Sequence, residues 1–333
     1  MTAQKKAASM ERDLLIMNVQ YSTTYNVKRK LKNIAGNWQL YLMAVPCVGL
    51  LFAFAYMPMG GLVLAFKRIT DFSIGIFNNP WADPLFRNFE LLWGNPAAFN
   101  AMRNTLVMNF LFISVGTVFA LALALGFNEI RRPFYKRLTQ SISFLPYFIS
   151  TVVIGIFVSG MLAFETGSVT NLIYALTGHR PRFYQEPGHW PLIMLVVNIW
   201  RLGGFNAIIY LAAISGIDPQ LYEAAEIDGA SRRQQVWYVT MPLLIPTIIV
   251  LTILAIGRIM NADFGLFFNV TRDVSSLYPT MDVLDTYIYR ALRHTGDIGI
   301  STAAGFFQSV VSFILVVICN KIANRIEKGS ALF

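Results

Sequence analysis

The sequence predicts an all-α membrane protein with six transmembrane helices. Of its 333 residues 55% are hydrophobic and only 14% are charged, where an average soluble domain carries about 25% charged residues. The apolar residues also gather into six long runs. A helix needs about 20 mainly apolar residues to cross a hydrocarbon layer roughly 30 Å thick, and each run meets that length. The net charge is +9, from 27 Lys and Arg against 18 Asp and Glu, and the basic residues fall beside the runs, where lipid headgroups are their partners. Nucleic acid recognition would need them interleaved with aromatic residues on one exposed face, so no nucleic acid partner is expected.

The runs at 40–66, 104–128 and 141–164 contain no charge. The run at 191–217 holds Arg201, the run at 243–263 holds Arg258 and ends on Asp263, and the run at 298–320 is uncharged. The stretch before the first run carries Glu11 and Asp13, and the run is about twice a signal-peptide core of 7 to 15 residues, so a retained helix is expected. The spans therefore define a membrane domain over 37–328, preceded by a tail of residues 1–36 and followed by a short tail at 329–333.

Orientation follows from the loops. With both termini in the cytoplasm, 16 Lys and Arg lie inside against 9 outside. The cleanest marker is the short loop Glu129 to Arg137, which contains Arg131, Arg132, Lys136 and Arg137. Lys28 to Lys32 sit where a headgroup anchor belongs. Outside loops at 67–102, 165–190 and 264–297 are long enough for short interfacial helices but not for separate domains. Trp81, Trp93 and Trp190 suit an aromatic belt at the membrane surface. Cys47 and Cys319 both lie in apolar runs, and His179, His189 and His294 are scattered, so neither a disulfide framework nor a metal site is expected.

The segment 218–242, between the fourth and fifth runs, reads as two short cytoplasmic helices. Asp218 is a good N-cap with Pro219 at the first helical position. Gly229 suits the left-handed residue that closes a helix, and Ser231 caps a second helix, Arg232 to Thr240, which Pro242 ends or bends. The pattern Glu223, Ala224, Ala225, three residues, Gly229, nine residues, then Val239, Thr240, Met241 and Pro242 resembles the EAA loop of permease subunits of binding-protein-dependent ABC importers. Val239 and Met241 replace the isoleucine and leucine of that pattern, apolar for apolar. GLVLAFKRITDF after the first run, the RNTL at Arg103 to Leu106, FNAIIYLAAISGID before the loop and the GRIM at Gly257 to Met260 are similar to sugar permeases of the same superfamily. The oligosaccharide and polysaccharide group, with uronic-acid polymers such as alginate among its substrates, is the nearest resemblance.

The resemblance implies a coupling helix that fits a groove on a cytoplasmic ATP-hydrolysing subunit, with Arg232 and Arg233 beside it and Glu223 making a polar contact in the groove. It implies a second six-span permease, related but different, two ATP-binding subunits and an external solute-binding protein, in a bacterial cytoplasmic (inner) membrane. The chain lacks GxxxxGK[ST], so ATP and Mg belong to partner subunits and no cofactor is expected on this one. It is expected to be non-catalytic: no HExxH and no GxSxG within a span appears.

A charge at mid-span costs about 2.5 to 3.5 kcal/mol on insertion scales and usually faces a bundle interior or wet cavity. Arg201 and Arg258 are expected near mid-span, each sharing a helical face with an amide, Asn198 and Asn261 respectively. Two roles stand level: a polar translocation path, or interhelical pairing with Asp263 or with a partner permease. Asn109, Ser159, Gln308 and Ser309 are expected to pack between helices, and Gly155, Gly160, Gly305, Ala303 and Ala304 to allow close approach. The main alternative function is a six-span secondary transporter working without an ATPase. Such carriers keep acidic residues or broken helices in mid-membrane, for which Asp263 is the one weak candidate. A voltage-gated channel would need regularly spaced arginines, and the runs contain none.

Overall fold

The computed structural model describes residues 36–71 and 73–326. The tails predicted at 1–36 and 329–333, and the anchor at Lys28 to Lys32, lie wholly or almost wholly outside them. Among the described residues there is no strand beyond an isolated antiparallel bridge between Lys67 and Trp81. Five helices among the described residues are long and apolar enough to cross a membrane, and a sixth span forms if one bent pair is counted as one. The described residues up to Leu62 and those from Val63 onward form two compact units.

Most of helix α1, Trp38–Phe66, falls in the first unit. It is regular to Leu51, widens into a π-helical turn at Phe52–Tyr56 and tightens to a 3₁₀ helix over Met57–Phe66. Pro58 lacks a backbone N–H, and Gly60 and Gly61 add freedom, so this end departs from regular α geometry.

In the second unit, α2 (Arg87–Gly94) and the long α3 (Pro96–Glu129) lie close in sequence. The Asn95 side chain accepts the Ala97 N–H and Pro96 occupies the first turn, so α3 begins with a good cap. Then come α4 (Pro133–Phe148), α5 (Thr151–Leu162), α6 (Ser168–Thr177), α7 (Trp190–Ser215), α8 (Pro219–Ile227) and α9 (Arg232–Ile256). After these follow α10 (Phe264–Thr271), α11 (Tyr278–Met281), α12 (Leu284–Arg290) and α13 (Ile298–Ile326).

Three apolar cores follow α3 along its length. Ala98, Ala101 and Met102 pack with Leu92, Met260, Leu284 and Ala304. Met108 joins Ile154, Trp190, Met194, Leu266 and Phe267. Ala120 and Ala124 meet Ala207, Tyr210, Leu211 and Leu244. Small residues let the α3 and α7 backbones approach closely.

The structure corrects several expectations. The run 141–164 is not one helix: α4 and α5 meet at 97°. Pro146 sits in the 3₁₀ turn that ends α4, Ile149 is extended, and the Ser150 hydroxyl accepts the Val153 N–H to start α5 anew. Gly204 of α7 lies against that elbow so closely that a Cβ there would stand 1.9 Å from the Ser143 carbonyl oxygen. The second helix of the 218–242 segment does not end at Thr240 or Pro242: it runs from Arg232 through a π-helical turn, Val236–Thr240, into the fifth span. Pro242 occupies the first turn of the regular helix beyond, where its missing N–H matters least.

The fifth span ends early, at Ile256, rather than at Asp263. Finally, Trp190 is no belt residue. It is fully buried and its indole N–H donates to the Phe183 carbonyl at 2.6 Å. Of the small residues, Gly155 does mark a close approach, its missing Cβ 2.5 Å from the Asn269 carbonyl oxygen, whereas Gly160 and Gly305 face open space. Ser159 and Ser309 bond carbonyls of their own helices, at Ile156 and Gly305, and not a neighbour.

Candidate functional site: a protruding helix and a polar cavity

The first candidate region is α8 with the turn that follows. Asp218 accepts the Gln220 N–H at 2.9 Å. At the other end Gly229 takes φ +78° with nothing within 4 Å of its missing Cβ, so its requirement is backbone conformation and not space. Ser231 and Gln234 form a reciprocal capping box that starts α9. The Tyr222 hydroxyl and Thr240 Oγ1 are 2.9 Å apart, which ties α8 back to α9. The outer side of this hairpin is open: Glu223, Ala224, Arg232, Arg233 and Pro242 are exposed and Ala225 is half-buried. Beside them Ile227, Tyr238 and Trp237 are 86%, 77% and 67% exposed. Apolar side chains this exposed next to charges are covered by a partner or by lipid.

The second candidate region is a cavity of about 530 Å³ between α3, α7 and the end of α9. Its polar lining comes from Asn109 and Thr117 of α3, Asn198, Asn206 and Tyr210 of α7, and Arg258, Asn261 and Asp263. The last three do not sit on a helix. Past Ile256 the chain runs through turns to Met260 and is irregular at 261–263, so Arg258 and Asn261 share no helical face, contrary to expectation. Asp263 starts α10 by accepting the Leu266 N–H at 2.9 Å.

Backbone groups freed by a broken helix must find partners inside the protein. Here Asn109 Nδ2 donates to the Ile259 carbonyl at 2.9 Å and the Asn261 carbonyl at 3.3 Å. Gln308 Nε2 donates to the Met260 carbonyl at 2.8 Å, and Asp285 accepts the Ala262 N–H at 2.8 Å. Asn109 and Gln308 thus bridge helices as expected, but chiefly by gripping an open backbone, with Gln308 also reaching the Asp285 carboxylate at 3.2 Å. Asp285 was missed because it lies in a stretch that reads as an external loop. The clue within reach was Asp263 followed by an apolar segment, an N-cap that announces a new helix.

Arg201 pairs with Asp263, Nη1 to Oδ2, at 2.5 Å. The pairing role weighed for Arg201 is therefore present, and its partner borders the cavity. Arg258 lines the cavity, is exposed, and makes no ion pair among the described residues. Of the four path candidates, the structure brings Asn198, Arg258 and Asn261 to one cavity and holds Arg201 behind it through Asp263.

A second polar cluster gathers around α12. Arg290 pairs with Asp273 at 2.8 Å and with Asp282, and stacks on the Tyr278 ring 4.0 Å from its centre. Burial pushes the Asp282 carboxyl above its ordinary range against the opposing pull of Arg290. Tyr184 donates to the Val270 carbonyl and is pushed up to about 12 by burial, so this hydroxyl remains a donor at any physiological pH.

Comparison with known proteins agrees with this architecture. The permease protein YteP of Bacillus subtilis, from a polygalacturonan/rhamnogalacturonan transport system, is 36% identical over 91% of this chain and 93% of its own length. Protein LplB of the same organism is 33% identical over 87% of this chain and 89% of its own. A chain in the crystal structure of a bacterial ABC transporter involved in the import of the acidic polysaccharide alginate superimposes with a TM-score of 0.82 at 35% identity. That match covers 90% of this chain and all of the other. A second structure, of a bacterial alginate ABC transporter with its alginate pentasaccharide-bound periplasmic protein, gives a TM-score of 0.80 over 89% of this chain and 98% of the other. Residues 116–328 match the family model of the binding-protein-dependent transport system inner membrane component, and the chain belongs to that family of membrane-spanning transport subunits.

Proposed function

We propose that the chain is the permease subunit of an ATP-driven importer that moves an acidic oligo- or polysaccharide into the cytoplasm, with alginate and polygalacturonan-like chains as the candidate substrates. The observation that carries the substrate class is Arg258. With Asp263 neutralised by Arg201, it leaves the described cavity lining with one uncompensated positive charge among amides and hydroxyls. Amides and hydroxyls answer sugar hydroxyls, and an unpaired guanidinium answers a carboxylate. Relatives named for polygalacturonan/rhamnogalacturonan and alginate support the same class.

Coupling is assigned to α8 and the start of α9. Glu223, Ala224 and Ala225 present the face that enters a groove on a separate ATPase subunit, Gly229 sets the turn, and Arg232, Arg233 and Pro242 complete the contact surface. Closure of two such ATPase subunits on ATP and Mg rocks the spans between outward-open and inward-open states. A cavity bounded by a few helices is completed by a second six-span permease. A solute-binding protein delivers substrate at the end opposite α8, and both termini are cytoplasmic.

The test is substrate-stimulated ATPase activity and uptake in the reconstituted complex, comparing uronic-acid with neutral oligosaccharides of equal length. Selective stimulation by the acidic series is expected, and equal response to both series overturns the substrate class. The broken fifth span is also a device of secondary carriers. Purification decides between the two: the permease brings down an ATPase and a second permease, whereas a carrier purifies alone.

A further inference from the structure

We propose that Asp285 is a positioning residue for the substrate cavity: it holds the open backbone of the broken fifth span so that Arg258 and Asn261 stand in the cavity lining. This rests on the reading of that cavity as the substrate path.

Asn261 sits between two gripped backbone groups. On one side the Met260 carbonyl accepts from Gln308 Nε2 at 2.8 Å, and on the other the Ala262 N–H donates to Asp285 Oδ2 at 2.8 Å. The two grips are one unit, because Gln308 Nε2 also reaches the same Asp285 oxygen at 3.2 Å. Asp285 has no ion pair among the described residues and does not line the cavity. A half-buried carboxylate satisfied only by N–H groups is a costly choice for a purely structural site, and its advantage is a strong acceptor for one backbone donor.

The mount of this carboxylate is rigid. Its helix, α12, is held at the start by the Leu284 N–H donating to Thr105 Oγ1 at 2.8 Å, and at the end by Arg290 on Asp273 and Asp282. Leu284, Thr286 and Tyr287 are buried around it. A fixed acceptor on a fixed helix thus determines where Ala262 lies. Asp263, the next residue, carries both the Arg201 pair and the cap of α10. Without Asp285 the Ala262 N–H loses its partner, and residues 258–262 settle elsewhere.

The test separates position from transport. In the complete reconstituted complex, with Cys47→Ser and Cys319→Ser, the substitution Asn261→Cys reports cavity exposure through its reaction rate with a membrane-impermeant methanethiosulfonate reagent, with no substrate present. Asp285→Ala is expected to change that rate about ten-fold or more, the scale of a lost charge-assisted hydrogen bond, whereas Asp285→Asn, which retains an acceptor oxygen, stays close to the parent. In the otherwise native complex Asp285→Ala is expected to raise the KM for uptake by a similar factor with little change in kcat, and Asp285→Asn to restore it. Should Asp285→Ala fail to assemble, Gln308→Leu removes the shared donor and must move both readouts. An unchanged labelling rate, or an Asp285→Asn variant as impaired as Asp285→Ala, overturns the role of Asp285. A changed labelling rate with an unchanged KM overturns the substrate-path reading instead.

Discussion

The turn after α8 and the break after α9 both interrupt a run of helix, but they are closed by different means. At Gly229 the chain closes with its own neighbours: Ala230 N–H to the Ala225 carbonyl at 2.9 Å, Gly229 N–H to the Glu226 carbonyl at 3.1 Å, and the Ser231–Gln234 box. At Gly257–Asp263 the N–H groups of Gly257, Arg258, Ile259 and Asn261 are still met locally. The carbonyls of Ile259, Met260 and Asn261 and the Ala262 N–H are answered from elsewhere, by Asn109 of α3, Asp285 of α12 and Gln308 of α13. A locally closed turn leaves its outer face free for a partner. A break held by three other elements responds when any of them moves, as the proposed substrate path requires.

If that contrast is right, disturbing tertiary closure costs more stability than disturbing local closure. The largest effect is expected at the elbow between α4 and α5, which α7 supports from outside the turn. Gly204→Val places a side chain where a Cβ alone would meet the Ser143 carbonyl oxygen at 1.9 Å. With backbone on both sides, relief requires helix movement, and a loss of about 3 kcal/mol or more is expected. The check is the yield of folded, detergent-solubilised protein and its thermal unfolding; a normal yield and Tm would break the comparison at once.

Next comes the break itself. Asn109→Leu removes the donor to the Ile259 and Asn261 carbonyls, leaving the part-buried Ile259 carbonyl without its partner at the cavity wall. The expected loss is about 1–3 kcal/mol, read as a lowered Tm of the complex, and uptake falls with it because Asn109 also lines the cavity.

The difference in closure also decides what the sequence makes legible. Asp218-Pro219, Gly229 and Ser231 are signals whose meaning lies within a few residues, so the α8 hairpin could be read from them with its caps in place. The four long uninterrupted spans after α1 could be located by apolar length, though α9 begins earlier and ends earlier than its hydropathy implies. Gly257 to Met260 contains no proline, so apart from Gly257 itself and the Asp263 cap that follows, little in the local sequence marks where the helix stops. It stops because Asn109, Gln308 and Asp285, distant in sequence, provide the alternative hydrogen bonds. The elbow is intermediate: Pro146 was visible, but the sharpness of the turn depends on Gly204, about 60 positions further on.

A third effect separates function from stability. Gly229→Val forces a β-branched residue into φ +78°, at a cost of about 1–3 kcal/mol in strain. The site is exposed and touches nothing, so the strain is relieved by local rearrangement of the turn. The expected result is a complex with nearly normal Tm that loses substrate-stimulated ATPase activity, because α8 no longer presents Glu223 and its neighbours correctly. Normal coupling in this variant would remove α8 as the coupling element.

The smallest effect is the sharpest discriminator of mechanism at the same position. Asparagine enters the left-handed region more readily than other residues with a side chain, and around Gly229 there is open space for it. If conformation alone makes glycine necessary there, Gly229→Asn costs a few tenths of a kcal/mol, as tolerated left-handed caps do, and retains most coupling. If instead the ATPase surface packs directly on the bare glycine backbone, Asn and Val both abolish coupling despite their different backbone preferences. Measuring ATPase stimulation for the pair therefore distinguishes a turn that aims the helix from a turn that is itself part of the contact.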